Sequence, residues 1–533
     1  MAHTAVDEIP GIVAGLHETF KSGVTRPLEW RRQQLDALHR MLDENEDAMV
    51  EALKADLRRD RFGALVAEVW DIVGQIVYLK GNLEKLAKKE KLPTPLAIKP
   101  LSFEAWKEPF GVVTVVAPWN FPLMLLLSPV AGALAAGNTC VLKPSEISAA
   151  CSKLVAELIP KYFKPSEVAI VTGGVEQTTV LLAQKVDTIM YTGGSKVARI
   201  VMAAAAKNLT PVILELGGQC PTYVDESANL EVAARRIVFY KNINSGQVCI
   251  APNHVMVHHK VRDDFLEHLK TQHARMHPGK EQARAEDEMK CRIINSAHFS
   301  RVESLLEGHG GEVLLGGESD AADRFIPFTI VVDPSPDSTL MQEEIFGPIL
   351  PVLTVQSAEE AIALCGAKSA TPLAAYVFER DPAVGKKWLT EVASGGACVN
   401  DCMSQIMNTE GGLSGKGESG MGTTRGKASF DSFTHRKVVA FNTPNFDPMV
   451  KYPPYNVSKL LYRIDARHRL RLRPRGEPRT HARSTPTKSS QALVLERWVC
   501  RQPNRARRAR GHQGSARKIS VGGRGGYHKV KTR

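Results

Sequence analysis

Residues 111–144 read GVVTVVAPWNFPLMLLLSPVAGALAAGNTCVLKP, the longest apolar run in the chain. Its length invites a membrane span. Pro118, Asn120, Pro122 and Pro129 oppose one, because each would leave polar groups without partners in lipid. The run opens on a β-branched stretch, continues through a Leu- and Ala-rich one, and closes on NTCVLKP. That order predicts a buried strand, a turn, a helix and a second strand.

The same texture extends outward. VAIVTGG, TIMYTGG and PVILELGG alternate with Ala-rich helical runs up to about residue 215, which implies parallel βαβ units. A second lobe with similar alternation covers residues 216–400, and SGGACVND and GKGESGMG follow as Gly-rich turns. Upstream, residues 8–90 repeat Leu, Met and Val at three- and four-residue spacing between charges, the pattern of amphipathic helices. A chain of 533 residues needs more than one core. The fold class is therefore α/β.

Net charge divides the chain. From Arg463 onward 21 Lys and Arg face 3 acids, a balance of +18, while the preceding 462 residues carry 48 basic and 54 acidic groups, a balance of −6. The basic pI belongs to the tail. Residues 463–533 lack apolar periodicity and are rich in Arg, Pro, Gly and Ser, so the tail is expected to be disordered. It is either an extension without function or a binder of nucleic acid or an anionic surface. No RNA-recognition module accompanies it. The nine cysteines form neither a CxxC nor a zinc spacing, so no metal is expected and a reducing compartment fits. The N-terminus has no secretory layout.

NINSGQVCIAPN, residues 242–253, holds Cys249 in a turn where backbone N–H groups can favour a thiolate and bind an oxyanion. A lone cysteine is usually core filler, so its company decides. PVILELGGQCP ends a strand on Glu215, suited to activating water; a strand-terminal surface glutamate is the plain alternative. Asn120, between Trp119 and Phe121, is an amide in apolar surroundings and needs a partner, either a reacting oxygen or a turn. Gly193 and Gly194 open a helix whose N-terminus can receive pyrophosphate, although the spacing is not GxGxxG. Lys143 and Glu146 in VLKPSE are a strand-end pair able to bond ribose hydroxyls, or simply solvated charges. Glu343, Glu344 and Phe346 in MQEEIFGPILPV are an acid–aromatic set that orients a ribose and nicotinamide, or ends a helix.

In the order PWN, KPSE, TGGS, ELGG, GQxC, EEIFGP, these stretches resemble the aldehyde dehydrogenase superfamily, most closely its class 3 or fatty-aldehyde branch, over about residues 8–445. AAAKNLTPVILELGG, RIINSAHFSRVESLLEG and GESGMG match that branch. The resemblance implies two Rossmann-like lobes, one for cofactor and one catalytic, with a small bridging β-hairpin. It divides the chain into residues 1–215 (N-terminal helices and dinucleotide-binding domain), 216–400 (catalytic domain), 401–445 (return to the cofactor lobe and dimerisation) and the 463–533 tail. It implies Cys249 as nucleophile, Asn120 with the Cys249 N–H as oxyanion hole, and Glu215 as general base. Lys143 and Glu146 would meet the adenosine ribose, with Gly193, Gly194 and Val197 by the pyrophosphate. Glu344 and Phe346 would hold the nicotinamide end, with Trp119 beside it.

The implied reaction is oxidation of a medium- or long-chain aliphatic, or an aromatic, aldehyde to the acid by a cytoplasmic homodimer. NAD is the expected cofactor, because Glu146 disfavours a 2′-phosphate, and NADP is the alternative. Binding through the basic tail and a non-catalytic relative are the competing readings. VSKLLYRI is too short to span a membrane, which leaves peripheral contact open. This chain departs from the family at Gly193-Gly194, where Gly-Ser is usual, and at Ala198, Gln219, Cys220, Asn242, GGLSGKG and Thr424-Arg425, where Tyr-His is usual. The last two lie near the expected substrate mouth.

Overall fold

The computed structural model describes residues 3–95, 98–277, 291–367, 371–447, 449 and 452–454. The basic tail and VSKLLYRI, whose disorder and shortness are expectations above, lie outside these residues. Residues up to Pro444 form one compact unit.

Residues 111–144 build the strand–turn–helix–strand their composition predicts. Val112–Val116 is buried throughout, and Met124–Ala136 is a helix that Gly137 ends in the left-handed region at φ 95°. Thr139–Lys143 returns parallel to the first strand, with Val113 opposite Cys140. Thirteen helical residues span about 20 Å, short of the roughly 30 Å of a bilayer core. Among the described residues one helical stretch, Arg61–Ala87, is long and apolar enough to cross a membrane. It lays Leu65, Val69, Ile72, Ile76, Leu79 and Leu83 into the protein core instead.

Two sheets carry the architecture. The six-stranded sheet runs Gly420–Met421, Val212–Glu215, Thr188–Thr192, Val112–Val116, Thr139–Lys143, Val168–Ile170, parallel except for the first strand. The chain leaves Val112–Val116 toward one edge and comes back to its other side at Thr188–Thr192. Such a reversal opens a crevice at the carboxyl ends of those two strands. The seven-stranded sheet places Pro221–Val224 between His254–His258 and Ala374–Phe378, and all its pairings are parallel except the edge strand Glu312–Leu315. The expected bridging hairpin takes the form of a three-stranded antiparallel sheet. Its main pairing joins Ser102–Pro109 to Thr434–Phe441, because the chain leaves this layer before the first large sheet and returns after the second.

Candidate active site

Helix Leu230–Asn242 delivers the cysteine loop. The chain then passes Asn244 (φ 51°), Ser245 (φ 51°) and Gly246 (φ 73°), three consecutive residues in the left-handed region. A Cβ on Gly246 would stand 2.1 Å from the Gly347 carbonyl oxygen, so glycine is required there. The side chain of Gln247, fully buried, pins the turn. Its Nε2 donates to the carbonyls of Asn244 (2.9 Å) and Arg292 (3.0 Å), and its Oε1 accepts from Ile294 N–H (3.0 Å). Cys249 follows, half-buried.

Asn120 meets this loop directly. Its Nδ2 donates to the Gln247 carbonyl at 3.1 Å, which leaves the second amide hydrogen for another acceptor. Its own carbonyl accepts from Arg59 Nη2 at 2.8 Å and from Asn244 Nδ2 at 2.9 Å.

Glu215 ends its strand 3% exposed. Both its carboxylate oxygens are buried and, among the described residues, without a hydrogen-bond partner. Burial pushes its pKa up to about 7; the nearby Cys249 thiol and Arg425 oppose the rise, and Glu344 adds to it. Burial likewise pushes Glu344 to about 7, against the Gly218 N–H, Arg301 and Lys241. The Cys249 thiol moves well above its ordinary value, through burial first and then through Glu215 and Glu344. The sulfur is therefore a protonated thiol in this state. Lys241, 1% exposed, falls to about 7 because burial disfavours its charge.

Two spaces meet at the sulfur. A cleft of about 240 Å³ opens where the loops after Val112–Val116 and Thr188–Thr192 diverge, and Trp119, Asn120, Gly193, Gly194, Glu344 and Phe346 line it. A smaller cavity of about 50 Å³ has mainly apolar walls, among them Phe121, Met124, Leu125, Val248 and Ile250. Leu125, Glu215 and Cys249 belong to both. Trp119 packs edge-on against Phe346, with ring centroids 5.4 Å apart.

Three expected residues stand outside the cleft lining. Lys143 is buried at the end of the neighbouring strand, where Nζ donates to the Pro144 carbonyl (2.8 Å) and meets Glu146 Oε2 at 3.4 Å. Val197 lies exposed in the first turn of helix Ser195–Ala206. Sequence reading missed Arg59, Glu68, Asn244, His298 and Arg301. His298 and Arg301 line the cleft, and the His298 ring packs tilted against Trp119, with centroids 4.7 Å apart.

Residues 2–439 match the family described as Aldehyde dehydrogenase family. The chain belongs to that family. Aldehyde dehydrogenase family 3 member A2 of Rattus norvegicus is 42% identical over 452 residues, covering 84% of this chain and 92% of the relative. Family 3 member B1 of Homo sapiens is 40% identical over 457 residues, covering 85% of this chain and 96% of the relative. A substrate-bound Staphylococcus aureus AldH structure superposes with a TM-score of 0.83 at 35% identity, covering 86% of this chain and 99% of that one. This aldehyde dehydrogenase is accordingly an NAD(P)-dependent enzyme that oxidises an aldehyde. The reading of the chain as a tail-borne binding protein is not favoured, since the family match ends before the tail.

Proposed function

We propose that Cys249 is the nucleophile of this aldehyde oxidation, Asn120 its oxyanion donor and Glu215 the base that releases the acid. The single observation that carries the reading is the shared position of Cys249 and Glu215 in both spaces, cleft and cavity. On this reading residues 1–215 carry the cofactor lobe, residues 216–400 the cysteine, and residues 401–445 the return and the dimer contact.

The cleft suits NAD(P). Thr192 Oγ1 and Glu344 Oε1 are buried there without hydrogen-bond partners among the described residues. A Cβ at Gly194 would meet open space, and Gly194 heads the twelve-residue helix Ser195–Ala206, whose N–H groups suit a pyrophosphate. Gly193, Gly194 and Val197 would lie along the phosphates, Lys143 and Glu146 at the adenosine ribose, and Glu344, Phe346 and Trp119 at the nicotinamide end. Bound nicotinamide supplies the hydride acceptor that the oxidation requires.

The chain's own groups do the rest. The sulfur gives up its proton to water and bonds to the aldehyde carbon, and the carbonyl electron pair moves onto oxygen. Asn120 Nδ2 and the Cys249 N–H receive that oxyanion; a donor of this kind is worth about 3–4 kcal/mol elsewhere. After oxidation the carbon is held as a thioester. Glu215 takes a proton from water as it attacks, the C–S bond breaks, and acid and thiol part.

The apolar walls around Cys249 support aliphatic aldehydes of medium or long chain, or aromatic ones. Thr434–Phe441 is an edge strand with Val438 and Phe441 exposed, which supports a homodimer formed by sheet extension; a light-scattering mass of one chain would refute it. The eight described cysteines are free thiols, which supports a cytoplasmic setting, to be checked by cell fractionation. Full-length protein with NAD and hexanal, decanal or benzaldehyde is expected to raise the absorbance of reduced cofactor. Cys249→Ser is expected to lose nearly all turnover, and full activity in that variant would end the proposal.

A further inference from the structure

The apolar cavity beside Cys249 has a polar side. Ser128, Thr424 and Arg425 contribute to its lining. Arg425 is 8% exposed. Its Nε donates to the Ile406 carbonyl at 3.1 Å and its Nη2 pairs with Asp71, while Nη1 meets the Met124 sulfur at 3.7 Å. A guanidinium is all donor, and a thioether is a weak acceptor. Nη1 therefore keeps hydrogen-bonding capacity that the described residues do not use.

Ser128 lies one helical turn beyond Met124 and is 6% exposed. Its Oγ is buried with no hydrogen-bond partner among the described residues. An unmet buried polar group costs about 1–3 kcal/mol. A cavity with one such group, a guanidinium nitrogen bonded only to a weak sulfur acceptor, and the reactive thiol is completed by a ligand that brings an acceptor. A plain alkyl chain leaves the Ser128 hydroxyl unmet and gives Nη1 no better acceptor than the Met124 sulfur. A carboxylate fits the guanidinium fork and accepts from a hydroxyl as well. The small free volume, about 50 Å³, favours a short stem between the two ends of the substrate.

We propose that Arg425 and Ser128 form an anion-accepting subsite, so that this enzyme prefers short aldehydes carrying a distal carboxylate to alkyl aldehydes of the same length. The proposal rests on Cys249 being the nucleophile in this cavity. For substrates that carry the charged end, it narrows the chain length given above to a short stem.

The test is kcat/KM of the full chain with saturating NAD, for 4-oxobutanoate against butanal and 6-oxohexanoate against hexanal. The wild type is expected to favour the oxo acid by about tenfold or more in at least one pair. Arg425→Gln is expected to bring that ratio to near one, through a raised KM for the oxo acid. Ser128→Ala is expected to lower it several-fold, and it decides the matter where loss of the Asp71 pair prevents Arg425→Gln from folding. A wild-type ratio near or below one in both pairs overturns the proposal, and so does a ratio unmoved by Ser128→Ala or by a folded Arg425→Gln. Turnover of the neutral aldehydes with no preference removes this proposal alone. No turnover of any of the four, or full activity in Cys249→Ser, removes the underlying reading and this one with it.

Discussion

Arg59 donates through Nη2 to the carbonyl oxygen of Asn120 at 2.8 Å. The same guanidinium pairs with Glu68, whose Oε2 accepts from the N–H groups of Leu123 (2.8 Å) and Met124 (3.0 Å). One ion pair from the N-terminal region thus holds the loop at Asn120 and again three and four residues further on. Arg59 is 2% and Glu68 0% exposed. Removing one partner leaves the other's charge buried and unpaired, a loss of about 3–5 kcal/mol. Arg59→Ala is therefore expected to lower the melting temperature sharply. Glu68→Gln keeps the shape, and is expected to lower kcat more than it raises the KM for aldehyde, by releasing Asn120. Wild-type kcat in a folded Glu68→Gln protein would show that the pair serves stability alone.

A carboxylate that must take a proton from water works only when ionised. Burial holds the Glu215 pKa at about 7, so turnover is expected to rise with pH through that value. Glu215→Gln is expected to lose about 10²–10⁴ in the hydrolytic step while still releasing a first equivalent of reduced cofactor. Stopped-flow absorbance separates that burst from the steady state. A burst that vanishes with the steady state would assign Glu215 to an earlier step.

The thiol makes a third expectation. Cys249 is pushed up by burial and by the two carboxylates Glu215 and Glu344, so cofactor-free protein holds little thiolate at neutral pH. Its alkylation by iodoacetamide is expected to climb steadily with pH beyond neutrality, and Glu344→Gln is expected to speed it by removing one of those charges. A rate already at its plateau at neutral pH would contradict this account of the site.

How much of this was legible beforehand follows from where each residue gets its signal. Cys249, Glu215 and Asn120 each had only a weak local signal, a Gly-flanked turn, a strand end, an amide among prolines, and were singled out by occurring together in a fixed order of motifs. The alternation of strands and helices was equally local, and the 111–144 segment was read correctly from its breakers. Arg59 had no such signal, because LRRDRFG reads as a solvated run until tertiary packing buries its second arginine. Glu68 had one that went unread. It lies three residues after Leu65 and four before Ile72, on the face those residues bury, and a carboxylate on a buried stripe needs a partner. His298 and Arg301 reach the cleft from a helix distant in sequence, which no spacing rule reports. The bridging hairpin was expected only through the family resemblance, and the strands that build it were not assigned, since the principal pairing joins residues more than three hundred positions apart.

The raised carboxylate pKa values also bear on stability. Glu215 takes up its proton at about 7 in the folded protein, against 4.5 as its ordinary value. Between those values the folded state holds a proton that the unfolded chain has released, so stability falls as pH rises through that window. At about 1.4 kcal/mol per pH unit, full ionisation costs the folded state ~3 kcal/mol. Glu344 shifts in the same direction for the same reason, and the two are coupled, so their costs do not simply add. Glu215→Gln removes the ionising group and keeps the shape. It is expected to raise the melting temperature of cofactor-free protein above pH about 7, and to bring no gain near the ordinary carboxylate value, where both proteins are protonated at that site. Melting curves of the two proteins across this range measure the difference directly, and a gain independent of pH would mean that packing, rather than buried charge, sets the stability of this site.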